Sequence, residues 1–538
     1  MRLSRRTLSG ALTFVVLAIA LGSVPAFAQF YDPALNELGL GSDVPRSPRL
    51  LGMGSLSLVS PDRYQRLSLW NFAMSPAGAF LEDSASTLDL RAGTGSAQSV
   101  HDVFGGPGVR EDLAGRANTT QMETFHRDNE GTAYGVVADF NTVSSDVPYS
   151  QDVETRTSTS VPEAQPILSG VFPYFGKGKL RYGVRLDFAS EGVQSDYKLY
   201  VPNPQGQFLS MDGTTLTPPS YFTPDQYTVS REGAGVSAAY PVGKSAMLAL
   251  GVDAIRDKIA GSSTGDLYSS QQTEGRPYQI GEATLVGHIG RSFEYGINER
   301  AWTSQSQENW VFSVSAGTGA IPLAGRGKLL GRQEEGSQFT SRVHWTGGRL
   351  ELGAQVGAEA TRIRLTPPEP DDGTSLNRFL DQIYYREGAD TLSVPDSVVA
   401  NTARENVLSY GVGAAWRMRR GVLGVEWHAT RDDNWQTFGG SGPRPLSWDV
   451  RSGLEYAWSS VLALRAGYAY SWWDEDDYTA NNEYLGETGS VGLGLRPKGA
   501  TWNFDVGYNL TWIQADYGDP LQHHGSRQQL ASVIHWGF

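Results

Sequence analysis

Apolar side chains alternate with polar or small ones over long stretches of this chain. The clearest run places apolar residues at Trp502, Phe504, Val506, Tyr508, Leu510 and Trp512. Similar runs begin at Leu408 and Leu462. Strict alternation predicts β-strands with one apolar face. Each run is about 11 residues long, the length that a tilted strand needs to cross a bilayer.

The connections between these runs alternate in length. Short candidate turns lie at 176–179, 241–245, 346–348, 419–421, 459–460 and 497–500. Long polar stretches lie at 191–232, 258–282, 366–405, 431–446, 473–487 and 515–527. Between 283 and 337 the pattern is weaker, and we expect one strand near 285–295 and another near 310–316. Short turns on one side and long loops on the other are typical of outer-membrane barrels.

These patterns predict an all-β fold, a transmembrane antiparallel β-barrel of 14 to 18 strands that occupies residues 86–538. A soluble β-sandwich or propeller with one buried face is the alternative, but strands of this length with aromatic residues at their ends are not what a sandwich needs. The last residues alternate up to Phe538, which resembles the C-terminal signal read by the barrel-assembly machinery, although Val533 stands where a glycine is usual.

The first 28 residues have the pattern of a secretory signal peptide. Three arginines precede an apolar run that starts at Ala11, and Ala26-Phe27-Ala28 fits cleavage between small residues. We expect a mature chain that starts at Gln29 and is located in the cell outer membrane. Without residues 1–28 the net charge falls from −14 to −17, since this segment has three arginines and no acidic residue.

The composition excludes several other classes. A net negative charge argues against general nucleic-acid binding. The mean hydropathy is −0.34, and the mature sequence has no run of 18 apolar residues, so a helical membrane protein is not expected. The 63 glycines, 14 tryptophans and 24 tyrosines fit a barrel with aromatic girdles, and the absence of cysteine excludes disulfides and thiol chemistry.

Charged residues of both signs fall on the opposite face of the predicted strands from the apolar residues. Such residues suit a hydrated or salt-bridged lumen, because a charge on the lipid face is costly. Selection of a solute and ordinary filling of the lumen remain two open roles for them. The lumen-lining candidates are Arg181, Arg185, Asp187, Arg417, Glu426, Arg451, Glu455, Arg465 and Asp505.

Residues 29–85 lack sustained alternation and contain several prolines, so we expect an N-terminal plug or hatch inside the barrel. In this segment Gly52-Met53-Gly54 is followed by Ser75-Pro76-Ala77-Gly78. The glycines let the backbone pack closely, and Pro76 fixes a bend. Gly52, Met53, Gly54, Pro76 and Gly78 are the plug candidates.

These two elements resemble the start of the FadL-type fatty-acid and hydrocarbon transporters and of the related PorV-like barrels. Those families have Asn-Pro-Ala-Gly where this chain has Ser75 at the first position. The resemblance covers about 45 residues and implies diffusion-driven uptake of hydrophobic molecules, with no cofactor and no catalytic residue. A plug without a gating role is equally compatible with the residues.

No catalytic or metal-binding pattern stands out. The acidic run 474–477 does not have the spacing of a calcium-binding loop, so we expect a solvated outside loop. The eight histidines are scattered, without a nucleophile elbow or a His-Glu-x-x-His pair. We therefore expect no enzyme, no metal and no cofactor.

Three functions remain open: a passive channel or transporter for small, hydrophobic solutes, a PorV-like barrel that serves secretion or surface presentation, and a structural barrel with adhesive loops. The expected partners are outer-membrane lipid and lipopolysaccharide, and the assembly machinery during biogenesis.

Overall fold

A computed structural model describes residues 47–59, 87–102, 110–127, 133–148, 155–160, 169–171, 181–196, 208–209, 215–216, 225–264, 268–314, 323–366, 369–370, 402–432, 446–477, 480–516 and 522–537. The predicted signal peptide, Pro76, Gly78 and Phe538 lie outside this part of the chain. Of the predicted plug, only residues 47–59 lie inside it.

Antiparallel strands of the described residues form one large sheet of 20 strands. They are β1 (Thr87–Asp102), β2 (Arg110–Arg127), β3 (Ala133–Pro148), β4 (Thr155–Ser160), β5 (Ser169–Val171), β6 (Arg181–Asp196), β9 (Asp225–Val242), β10 (Ala246–Thr264), β11 (Tyr268–Ile289), β12 (Phe293–Val314), β13 (Leu323–Gly347), β14 (Leu350–Thr366), β15 (Glu369–Pro370), β16 (Thr402–Met418), β17 (Gly421–Asp432), β18 (Leu446–Ala457), β19 (Leu462–Asp477), β20 (Ala480–Leu495), β21 (Trp502–Asp516) and β22 (Gln522–Gly537). A separate small hairpin pairs β7 (Phe208–Leu209) with β8 (Thr215–Leu216).

The sheet closes on itself, because β1 pairs with β22 as well as with β2. β4 and β5 pair with the two ends of β3 and so share one position in the wall. β15 pairs with β13 beyond the end of β14, and it shares the position of β14. The 20 strands therefore fill 18 positions, which confirms the predicted barrel and lies at the upper end of the expected range.

The outward face of the strands is apolar. Val252, Val412, Val491 and Trp512 are each more than half exposed, although soluble proteins bury such side chains. Trp448 stacks on Trp472 with ring centroids 6.2 Å apart. A closed sheet with an apolar exterior and aromatic residues near its ends is the form that a barrel needs to sit in lipid.

The short turns lie at one end of the barrel, which we call the short-turn end. They join β9 to β10, β11 to β12, β13 to β14, β16 to β17, β18 to β19, and β20 to β21. Five of these six were predicted. The turn at 290–292 was not, and the strand expected near 285–295 is wrong, because it runs across this turn.

Several stretches expected to be loops are strands. β10 and β11 continue through most of 258–282, and the acidic residues 474–477 lie in β19. A strand that leaves the bilayer no longer needs an apolar face, so backbone pairing continues where the hydropathy pattern ends. At about 3.3 Å per residue, the 22 residues of β12 span roughly 70 Å, far more than the ~25 Å apolar band of such barrels.

No helix in the described part of the chain is both long and apolar enough to cross a membrane.

Candidate functional site: a segment held against the inner wall

Residues 47–59, which we call the inner segment, lie against the inner face of β13, β14 and β16 to β21. The segment begins with one helical turn, α1 (Pro48–Leu51). Ser47 caps this turn, since its Oγ accepts a hydrogen bond from the Leu50 backbone amide at 3.2 Å. Gly54 and Ser55 then have positive φ angles of 70° and 60°, and the Ser55 amide donates to the Leu50 carbonyl at 2.8 Å. This left-handed pair ends the turn and sends the chain along the wall.

Glycines on the wall let the inner segment approach the barrel backbone. A Cβ on Gly52 would lie 2.7 Å from Gly492 Cα, and one on Gly54 would lie 2.6 Å from the Ser452 carbonyl oxygen. Eight wall glycines on seven strands contact the segment: Gly353, Gly411, Gly413, Gly424, Gly453, Gly467, Gly492 and Gly507. Five of them meet its backbone, a closeness that only glycine permits, whereas Gly411, Gly413 and Gly424 meet the side chains of Leu56, Leu58 and Val59.

The carboxylate of Glu426, on β17, binds the end of the inner segment. Its Oε1 accepts the amides of Leu58 and Val59 at 2.6 and 2.7 Å, and its Oε2 accepts the amide of Ser57 at 2.7 Å. The Glu426 side chain is fully buried. Three charge-assisted bonds satisfy this buried carboxylate and the three amides at once.

Two arginines of the wall bind carbonyl groups of the segment. Arg451 Nη1 donates to the Ser55 carbonyl at 3.0 Å, and Asp449 orients Arg451 through two further bonds of 2.5 and 2.9 Å. Arg342 donates to the Ser57 carbonyl. The backbone of residues 55–59 is thus held through both its amides and its carbonyls.

An ion network fixes the other end of the segment. Arg49 Nε donates to Glu455 Oε2 at 2.8 Å, and Arg465 Nε donates to the same oxygen at 2.7 Å. Arg465 Nη2 also lies 2.5 Å from Asp505 Oδ1. The Arg465 side chain is fully buried, so loss of both acids would leave a buried charge uncompensated.

Buried apolar side chains surround the segment at the short-turn end. Met53, Leu56 and Val59 pack with Ala415 and Val422 of the wall. A second buried cluster lies on the inner face of the wall of β9 to β11, and it is formed by Ala239, Met247, Ala249 and Val286. Apolar side chains are therefore buried on two described sides of this end, next to the ion network around Arg465.

The structure brings together six of the nine lumen-lining candidates. Glu426, Arg451, Glu455, Arg465 and Asp505 hold the segment as described, and Arg417 pairs with the buried Glu351, which also lies 3.2 Å from His344 Nε2. Arg181, Arg185 and Asp187 fall on β6, but their side chains lie outside the described part of the structure. Of the plug candidates, Gly52, Met53 and Gly54 lie in the inner segment.

Ser57, His428 and Glu426 meet at one point, but their arrangement differs from that of a hydrolase. His428 Nε2 lies 3.4 Å from Ser57 Oγ and 3.0 Å from Glu426 Oε2, so the serine and the acid face the same ring nitrogen. A catalytic histidine needs the acid on its other nitrogen. No group of three possible metal ligands occurs among the described residues.

The sequence analysis did not predict the row of wall glycines. It also did not predict Arg342, which binds the Ser57 carbonyl, or Glu351, which pairs with Arg417. Glycine adds nothing to a hydropathy pattern, so its meaning depends on what it faces. The available signal was the recurrence of glycine at inward positions near one end of successive strands, as at Gly411, Gly413, Gly453 and Gly467. That recurrence indicates a close approach of another backbone.

No protein-family model matches the chain, and no curated protein matches it. Solved structures match its fold. The unliganded ferric citrate transporter FecA has a TM-score of 0.44 and 8% identity, with 85% of this chain and 79% of that chain covered. The Pseudomonas putida toluene transporter TodX has a TM-score of 0.37 and 12% identity, with 91% and 98% covered. A Pseudomonas aeruginosa FadL homologue has a TM-score of 0.37 and 13% identity, with the same coverage.

FadL-type structures are thus among the matches, as the N-terminal resemblance predicted. Identities of 8% to 13% and TM-scores below 0.5 are too low to assign the chain to a family or to transfer a function to it. The fold itself is established by the strand pairing: a closed antiparallel barrel with an apolar exterior.

Proposed function

We propose that this chain is an outer-membrane barrel through which small, hydrophobic solutes cross passively. Its short turns face the periplasm, its long hairpins face the outside, and a signal peptide of residues 1–28 directs its export. Outer-membrane lipid and lipopolysaccharide surround it, and the barrel-assembly machinery inserts it.

The observation that carries this proposal is the set of apolar side chains buried at the short-turn end, where the described charges already bind one another or the inner segment. Leu51, Met53, Leu56, Leu58 and Val59 are all fully buried there, and the opposite cluster around Met247 is buried as well. Because Glu426, Arg451 and Glu455 are already engaged with the inner segment, they offer an ion or a hydrated solute little in exchange for its water. An apolar solute needs no such exchange, so this end favours apolar passage.

In this proposal the charges next to the inner segment position that segment and do not select a solute. Glu426, Arg451, Glu455 and Arg465 are each bound to the segment or to a residue that binds it. We assign residues 47–59 to a fixed lining of the barrel.

The test is uptake by cells with and without the gene. One arm follows a radiolabelled long-chain fatty acid and a radiolabelled alkane, and the control arm follows glycine. We expect loss of the gene to slow only the apolar arm. Equal rates in both strains would overturn the transport proposal and favour the secretion-linked or structural role. Loss of glycine uptake alone would indicate a hydrophilic pore and would also contradict it.

A further inference from the structure

A row of planar polar side chains crosses the inner wall of β11 to β14. Strand register places Glu282 opposite Arg300, Arg300 opposite Gln338, and Gln338 opposite Glu359. Ile297 and Phe339 are exposed on the outer face, so residues at alternate positions, including these four, point into the lumen. Residues that are directly opposite have Cβ atoms about 5 Å apart. The row lies roughly 20 Å above the short turns, beyond the apolar end.

Neighbouring groups hold the row in place. Asn298 Nδ2 donates to Glu282 Oε1 at 2.5 Å, and Gln338 Nε2 donates to Glu359 Oε2 at 3.0 Å. Each carboxylate is thus oriented by an amide and keeps unused lone pairs. Arg300 Nε is enclosed, and no residue in the described part of the structure accepts a hydrogen bond from it. All of these residues remain partly accessible from the lumen.

An aromatic ring lies next to this row. Trp302 shares the inward face of β12 with Arg300, two residues away, and its Nε1 donates to Glu334 Oε1 at 3.0 Å. A Cβ on the opposing Gly336 would lie 2.8 Å from that nitrogen and would overlap the six-membered part of the ring. The indole therefore lies across Gly336, with Glu334 fixing its edge, and it is partly exposed.

The combination points to one chemical class of ligand. Carboxylate, carboxamide and guanidinium groups are planar and can bind two adjacent hydroxyl groups at once. An indole face buries a flat apolar surface. A sugar ring presents both, with hydroxyls at its edge and C–H groups on its face. A simple anion is disfavoured, because three carboxylates, Glu282, Glu334 and Glu359, would repel it. A hydrocarbon is disfavoured as well, because it would leave the polar groups without hydrogen-bond partners.

We propose that Trp302, Arg300, Glu282, Gln338 and Glu359 form a lumenal binding site for a sugar ring or a similar polyol. One ring stacks on Trp302, and its hydroxyls bind Arg300 and the groups beside it. The whole row crosses four strands and spans about 15 Å, which leaves room for a second ring. The ligand is a free sugar or the head group of an amphipathic glycoside whose apolar part faces the short-turn end. The site goes beyond the proposed function and does not depend on it, because a sugar binds here whether or not apolar solutes pass.

The test measures binding by purified barrel in lipid nanodiscs, with saturation-transfer NMR of the ligand. The probes are maltose and hexyl glucoside, and 1-hexanol serves as the probe without a sugar. Trp302→Leu removes the stacking surface, and Gln338→Leu breaks the row. Trp512→Leu on the lipid face is the matched control, since this ring is exposed to the bilayer. Resistance of each variant to denaturation by sodium dodecyl sulfate shows that its barrel has folded.

We expect Trp512→Leu to bind each sugar as tightly as wild type does. Trp302→Leu should bind each sugar about tenfold more weakly than wild type. Tighter binding of hexyl glucoside than of maltose identifies a glycoside as the ligand, and equal binding identifies a free sugar. Absence of saturable sugar binding by wild type overturns the site, as does an equal loss in Trp302→Leu and Trp512→Leu. Cell uptake of alkane is a separate readout, so failure of transport leaves this result unaffected.

Discussion

The Glu426 carboxylate offers the sharpest test of how the inner segment is held. Glu426→Gln keeps the shape of the side chain but replaces one acceptor oxygen with an NH2 group. The remaining oxygen can still accept the amides of Leu58 and Val59, while the NH2 group faces the Ser57 amide, which is also a donor. One charge-assisted bond is lost, two become neutral, and one buried amide is left without an acceptor. A buried amide without an acceptor costs about 1 to 3 kcal/mol by itself, and the weaker bonds add to this, so we expect a loss of roughly 3 kcal/mol.

The free energy of unfolding is measured by urea titration of the barrel in lipid vesicles. The local effect is measured separately by maleimide labelling of Ser55→Cys, because the chain has no cysteine of its own. Glu426→Gln should lower the unfolding free energy by roughly 3 kcal/mol and speed labelling at position 55. Glu299→Gln, an exposed carboxylate on the outer face, is the control. A change below about 0.5 kcal/mol with unchanged labelling would refute the view that Glu426 holds the segment.

Three further changes test the packing, the ion network and the lipid face. Gly467→Ala places a Cβ on the backbone of Met53 and Gly54, so urea titration should show a loss of about 2 to 3 kcal/mol, while Gly489→Ala, with nothing within 4 Å, should be neutral. Arg465→Ala removes the buried cation that pairs with Asp505 and Glu455, so it should lower the unfolding free energy by about 3 to 5 kcal/mol. Arg349→Ala, in an exposed turn, should lower it little. Equal losses in the two variants would count against the ion network. Val425→Arg on the outer face should lower the unfolding free energy by about 2 to 4 kcal/mol in vesicles but by little in a mild detergent. Equal losses in vesicles and in detergent would argue that this face does not contact lipid.

The barrel follows from the sequence because hydropathy decides the outer face. Trp502 to Trp512 alternate as a lipid-facing strand must, and the structure places Asp505 and Asn509 buried on the inner face. The turn at 290–292 was missed because alternation continues on both sides of it, from Leu285 into Tyr295. Periodicity alone does not reveal a reversal of the chain when the turn has only three residues and the alternation continues through it.

The wall residues that bind the inner segment could be predicted only in part. Charged residues such as Glu426 and Arg465 were assigned to the lumen because lipid excludes them. Their partners could not be assigned, since Leu58 and Glu426 are 368 residues apart in sequence. Pairing at that separation depends on which strand faces which backbone after the barrel closes, and no local pattern encodes this.

The most direct test of the central claim, that the short-turn end is closed to water and ions, is ion conductance of the purified barrel in a planar lipid bilayer. The account predicts no steady conductance for wild type and for Gly489→Ala, and measurable conductance for Gly467→Ala, in which the inner segment is displaced. A large, steady conductance in the wild-type barrel would show a water-filled path through that end and would contradict the account.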